Sequence, residues 1–145
     1  MIFRETIDLE TNSQFQVIDL TPQMEKILSK SKVKFGLVSV FSPHTTAGIC
    51  VNHNEPLLLQ DFMKMLYRLV PIDGNYAHDF FELRRKVSPD ERSNGHAHLK
   101  TMLLGGSEVI PVDQGKMLLG ERQSVFFVEF DGARQRRVII SIQGE

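Results

Sequence analysis

His44-Thr45-Thr46 and Asn54-Glu55 place an imidazole, two hydroxyls, an amide and a carboxylate within twelve residues. Apolar runs border them, Phe35 to Phe41 before and Ile49 to Val51 after. Polar groups beside a core are costly unless they are paired or used. The stretch therefore marks a candidate wall of a binding or catalytic site.

The five histidines, His44, His53, His78, His96 and His98, admit three readings. Neutral imidazoles can join a carboxylate around a metal ion. One imidazole can move protons near neutral pH. Any of them can also be a structural residue held by local hydrogen bonds. His96 and His98 lie two apart, so on a helix they face different sides. They do not make the i, i+4 pair of a helical zinc site. The spacing puts His98 toward the apolar side and His96 toward solvent.

Glu129 and Asp131 also lie two apart, on a predicted strand, and share a face. Paired carboxylates can divide acid–base work or bind a cation. The plain alternative makes Asp131 a turn residue and pairs Glu129 with an arginine across a hairpin. Arg134 and Arg136 share a face, which suits a clamp on phosphate or carboxylate. No glycine-rich nucleotide loop is present. Helix starts at Asn54 and Ser93 offer backbone N–H groups to an anion. Cys50, the single cysteine, sits in an apolar run and reads as a buried small hydrophobe.

The elements that must position these groups follow from periodicity. Phe3 to Leu9 and Gln14 to Leu20 alternate, and the turn-like Glu10 to Ser13 predicts a hairpin between them. Thr21-Pro22 starts a helix with Met24, Ile27 and Leu28 on its inner face. Phe35 to Phe41 and Thr45 to Val51 read as strands, the first apolar on both faces. A second helix, capped by Asn54 and stopped by Pro71, carries a stripe of Leu57, Leu58, Phe62, Met65, Leu66 and Leu69. Ile72 to Pro89 reads as irregular, with a short strand over Asp79 to Leu83. Ser93 or Asn94 caps a third helix that Gly105-Gly106 closes. Strands follow at Glu108 to Val112, Lys116 to Leu119, Ser124 to Phe130 and Arg136 to Ile142, the last two joined in a hairpin at Asp131-Gly132. Val125 and Phe127 make one apolar face of their strand, and Phe126, Val128 and Phe130 the other. Helices or a second subunit must cover the outer one, and a homo-oligomer is favoured.

With 145 residues, 41% hydrophobic and 24% charged, the chain suits one α+β domain over residues 1–145. A net charge of −1 gives no pull toward nucleic acid or an anionic membrane. The start shows no signal-peptide core, and no window approaches the ~20 apolar residues that span a bilayer. A soluble, cytoplasmic protein is expected.

A series of motifs goes further. His44-Thr45-Thr46-Ala47 with Asn54-Glu55, then Asn94-Gly95-His96-Ala97-His98-Leu99, Leu103-Leu104-Gly105, Ile110-Pro111, Leu118-Leu119-Gly120, and Glu129-Phe130-Asp131-Gly132 with Arg134 and Arg136 resembles the YjbQ-like family. That family is also labelled secondary thiamine-phosphate synthase. The resemblance implies a single-domain, jelly-roll-like β-sandwich with two or three flanking helices, assembled as a homotrimer around a polar pocket. It implies His44 and Glu129 as catalytic residues and His44, His78 and His98 as ligands of a divalent metal, zinc or magnesium. It makes Asn54, Glu55, Arg134 and Arg136 contacts to a phosphorylated small molecule. The implied reaction joins a hydroxymethylpyrimidine diphosphate to a thiazole phosphate at low rate. A metal-dependent hydrolase or lyase and a non-enzymatic ligand-binding trimer are the rival readings. Where the family usually reads Leu-Gly-x-Trp-Gln, this chain has Leu119-Gly120-Glu121-Arg122-Gln123 and no tryptophan at all.

Overall fold

Alternation of apolar and polar residues decides which way each strand faces. In the last strand Arg136, Val138, Ile140 and Ile142 are buried, while Gln135 and Arg137 are exposed. The computed structural model describes residues 1–145. Its strands are β1 (Ile2–Glu10), β2 (Gln16–Asp19), β3 (Gly36–Phe41), β4 (Ala47–His53), β5 (Ser107–Asp113), β6 (Lys116–Met117), β7 (Gln123–Glu129) and β8 (Gln135–Gly144). Its helices are α1 (Thr21–Ser31), α2 (Pro56–Leu69) and α3 (Gly95–Leu104). The fold is α+β, with two antiparallel sheets ordered β1-β8-β3-β5-β6 and β2-β7-β4.

One apolar cluster draws on both sheets. Val38, Val40, Ile110, Val138 and Ile140 from the larger meet Ile49, Val125 and Phe127 from the smaller, with Met24, Ile27 and Leu28 of α1. The other face of β7 carries Phe126, Val128 and Phe130, which pack with Leu66 of α2 and Ala97 of α3. Helices thus cover the second apolar face of β7 within one chain.

Both expected long hairpins are absent. β1 pairs with β8 and β2 with β7, so residues 11–15 carry the chain from one sheet to the other. Asp131-Gly132 likewise links β7 in the smaller sheet to β8 in the larger. The two crossovers lie side by side: Thr11 N–H donates to the Arg134 carbonyl at 2.9 Å, and Gly132 N–H to the Gln14 carbonyl at 3.3 Å. A Cβ at Gly132 would overlap the Ser13 carbonyl, so the approach requires glycine. Local turn chemistry lost here to long-range pairing that buries both faces of β7. It prevailed at Gln114-Gly115, where φ values of 50° and 79° close the β5–β6 hairpin.

Smaller departures have local causes. β3 is buried on one face only, since Leu37 and Phe41 stay 45% and 47% exposed. Thr21 begins α1, but its hydroxyl accepts from Val125 N–H instead of capping the helix. Glu55, not Asn54, caps α2, its carboxylate accepting from the N–H groups of Leu57 and Leu58. Of the α2 stripe only Leu66 is buried. Asp79 to Leu83 forms parts of two single 3-10 turns, Ala77–Asp79 and Phe81–Leu83, and no strand. No helix is long and apolar enough to cross a membrane.

Candidate functional site around the start of the third helix

Asp131 is the hub of this site. The β7–β8 crossover sets it against the first turn of α3, where it is only 4% exposed. The amide of Asn94 donates to Oδ2 at 2.9 Å, and Arg134 Nη2 donates to the same oxygen at 2.7 Å. Arg92 Nη1 reaches the Asp131 carbonyl at 3.0 Å and Oδ1 at 3.5 Å. Burial pushes the Asp131 carboxyl up, but the Asn94 and Arg134 hydrogen bonds and the Arg134 and Arg92 charges outweigh it and hold the group below its ordinary value.

Of the two expected caps, Ser93 or Asn94, Asn94 holds the cap position, yet its side chain makes no cap bond. Asp79 takes that task, its Oδ1 accepting from Gly95 N–H at 2.9 Å. The buried Asn94 side chain is thereby free to bridge from Asp131, and its Oδ1 lies 3.2 Å from His78 Nε2. A carboxylate only accepts, so Asp131 fixes which end of the Asn94 amide it meets. The amide oxygen must then accept from His78, which places the ring proton on Nε2 and leaves Nδ1 with its lone pair.

His78 packs edge-on against His98, with ring centroids 4.7 Å apart and planes at 72°. His98 lies against the Thr45 backbone, which ties this pair to the His44-Thr45-Thr46 loop. Burial and the neighbouring His78 lower the His98 pKa, against the opposing pull of Asp131 and Glu91. Glu91 pairs with Arg84 at 2.6 Å and closes one side of the rim.

His44 looks elsewhere. Its Nε2 lies 3.0 Å from Arg137 N and 3.1 Å from the Arg137 carbonyl, and its ring meets Phe127 edge-on. Burial and the Arg136 charge lower its pKa. A metal would need a third ligand beside His78 and His98, and no group of three His, Cys, Asp or Glu side chains is arranged to hold one. Within the chain the expected three-histidine set is therefore a pair plus a separate His44.

Glu129 is fully buried and fully partnered. It accepts from Arg136 Nε at 2.7 Å and Nη2 at 2.5 Å, from the Thr11 hydroxyl at 2.8 Å and from Asp131 N–H at 3.0 Å. Arg136 also donates to Thr46 Oγ1 at 2.8 Å. Each arginine of the expected clamp thus holds its own carboxylate: Arg134 that of Asp131, Arg136 that of Glu129. Asn54 and Glu55 follow His53, which pairs with Gln123 at the far end of the ladder that brings Ala47 opposite Glu129. Asn54 donates to Asp19 Oδ2.

His96, expected toward solvent, is 1% exposed, and His98 is the half-open one. His96 Nδ1 meets Lys100 Nζ at 2.7 Å, and that ammonium lies 3.8 Å over the Tyr67 ring. Burial lowers the Lys100 pKa to about 8. As site residues, Arg92, Asn94 and Lys100 are not marked by the sequence. The one signal for Asn94 is its place in the Asn94-Gly95-His96-Ala97-His98 motif; a lysine at a buried helix position has none.

Comparisons agree along the whole chain. The family described as UPF0047 protein YjbQ-like matches residues 5–145. A UPF0047 protein of Methanothermobacter thermautotrophicus is 37% identical, with 99% of this chain and 94% of that protein covered. One from Archaeoglobus fulgidus is 40% identical, covering 92% and 96%. Among solved structures, a YbjQ-like protein of unknown function from Sulfolobus solfataricus superposes with a TM-score of 0.90 at 33% identity, covering 100% of this chain and 99% of the other. A hypothetical protein from Aeropyrum pernix gives 0.88 at 35% identity, covering 99% of each. This chain belongs to the UPF0047, YjbQ-like family.

Proposed function

We propose that the chain is an acid–base enzyme for an anionic small molecule, with the reacting group over His78 and His98 and its phosphate or carboxylate against Arg92 and Arg134. The observation that carries this reading is the chain of hydrogen bonds from Asp131 through Asn94 to His78. It fixes the tautomer of a partly exposed imidazole and leaves Nδ1 as a base. His98, lowered by burial, is a second base beside it. Such placement of a proton acceptor contributes about 10²- to 10⁴-fold in rate.

Thiamine-phosphate formation supplies the first substrate pair to try. The protein's part would be to hold two anions and help pyrophosphate leave. Arg136 is locked to Glu129 inside the protein, so Arg92 and Arg134 are the cations left on the rim around Asp131. Two guanidinium groups for a diphosphate and a phosphate support a low-rate transferase over a dedicated one. The reading uses no metal, because the chain brings only two imidazoles together. We read the two sheets as a β-sandwich, and copies pack as a homotrimer through the larger sheet. There Leu37 and Phe41 of β3 lie exposed beside Val109 of β5, opposite Ser39 in the register.

Pyrophosphate followed by NMR of the histidine rings tests the site directly. Saturable shifts of His78 and His98, lost in Arg92→Ala/Arg134→Ala, are expected. Thiamine phosphate, read as thiochrome fluorescence, should then fall about 100-fold or more in His98→Ala. Rings that ignore pyrophosphate, or a His98→Ala protein of unchanged activity, would sink the reading.

A further inference from the structure

We infer that the groove between α2 and the smaller sheet binds a single-chain amphiphile: an apolar tail along the groove and a carboxylate or phosphate head at Lys64 and Arg68. The groove holds about 760 Å³, within the range of small-molecule pockets, about 300–1,000 Å³. Its floor is Cys50 and Phe126, its wall Leu59, Phe62 and Met65, and Leu104 of α3 lines it too. A helix packed closely on a sheet leaves no space of this size, since interiors fill to crystal-like density. Here Leu66 is the only fully buried residue of α2; Leu59 and Phe62 are partly buried against the same apolar cluster, and the groove stays open beside them. The thiol of Cys50 is pushed up to about 11 by burial, so it serves as apolar floor and not as a nucleophile.

Charge at the mouth selects the head group. Lys64 and Arg68 line the groove one helical turn apart, both exposed, and neither forms an ion pair. Like charges at i, i+4 repel. Asp61, the single carboxylate in the lining, reaches neither cation at ion-pair distance. An anion between them relieves that repulsion, while the tail takes the apolar wall out of water. A second copy fits less well, because the trimer proposed above uses the larger sheet and a two-fold contact here presents the same surface from both sides. It would set two such cation pairs against each other. The groove shares no lining residue with the Asp131 site, so this inference stands or falls separately from the proposed activity.

Calorimetric titration with decanoate, decyl phosphate and decanol decides it, at concentrations below micelle formation. Either acid should bind with one molecule per chain, and decanol at least tenfold more weakly. Lys64→Ala/Arg68→Ala, two exposed positions that leave the fold intact, should bring both acids down to the level of the alcohol. Preference for one acid over the other identifies the head as carboxylate or phosphate. No saturable binding overturns the inference, as do acids and alcohol of equal affinity, or acids that the double variant binds unchanged.

Discussion

Glu129 and Asp131 stand two residues apart at the end of β7, and both are nearly inaccessible, at 0% and 4% exposure. What differs is where their networks end. Every partner of Glu129 is itself interior: Arg136, Thr11, Thr46 beyond it, and the backbone of Asp131. The partners of Asp131 lead outward, since the side chains of Arg134 and Arg92 are 36% and 43% exposed, and Asn94 passes on to His78 at 34%. A closed network fixes the crossing of the chain between sheets. An open one, anchored by a buried charge, holds reactive groups at the surface in a set orientation. Burial of a carboxylate therefore does not by itself mark a candidate site; the exposure of its partners separates the two cases.

The largest expected effect falls on the closed network. Arg136→Ala leaves Glu129 as an uncompensated interior charge, and urea unfolding should show a loss of about 3–5 kcal/mol. Arg134→Ala removes a partly exposed partner, and Asp131 keeps Arg92 and Asn94. That loss should stay near 1 kcal/mol or below. Equal losses in the two variants would erase the distinction between the networks.

The same division runs through α3, where Lys100 and His96 face inward and His98 outward. The folded pKa of Lys100, about 8, lies below its ordinary 10.5. Between these values the unfolded chain holds a proton that the folded chain has lost, so stability must rise with pH there. The gain should be roughly 2 kcal/mol once relaxation around the buried ammonium is allowed for. Lys100→Met should flatten that rise in a series of denaturant melts. At the acid end the sign follows the same logic. His44, His96 and His98 are all lowered from 6.5, mainly by burial, so the unfolded chain binds more protons once pH drops below that value. Stability should fall as pH drops through 6.5, and His96→Gln should reduce that loss. A wild-type protein with a flat profile at both ends would contradict the interior placement of this pair.

How much of this could be read from residue order varies with the distance over which the deciding interaction acts. Helices with capping and breaking residues, and strands with period-two alternation, were visible, because those signals act within a few residues. Pairing was not. Glu10 to Ser13 and Asp131-Gly132 both look like hairpin turns, yet each carries the chain between sheets. The choice was made by partners more than a hundred residues away, as in Thr11 with Glu129 and Arg134. Arg134 and Glu129 were named from their neighbours in sequence, whereas Asn94 became meaningful only beside Asp131. His96 and His98 were distinguished correctly as opposite sides of a helix but assigned the wrong way round. A period of 3.6 separates faces; it does not say which face finds Lys100 and Tyr67.

A loss of stability well below that of Arg136→Ala should carry the most information about the open network. Asn94→Ala removes one hydrogen bond to Asp131 and one to His78, and should cost about 1–2 kcal/mol. Its consequence for His78 is qualitative. With the amide oxygen gone, Nε2 loses its hydrogen-bond acceptor and keeps only Glu91 Oε1 at 3.8 Å, so the two neutral tautomers move toward their populations in free imidazole. Nitrogen NMR of the ring distinguishes them, so the wild type should show His78 protonated at Nε2 and the variant a mixture. Asn94→Asp restores an acceptor for the ring but sets a carboxylate against Asp131, and should weaken the fold more than alanine does. If the His78 tautomer is the same in all three proteins, Asn94 is a structural link in the crossover. The orientation of His78 would then have to come from His98 and the turn that carries it.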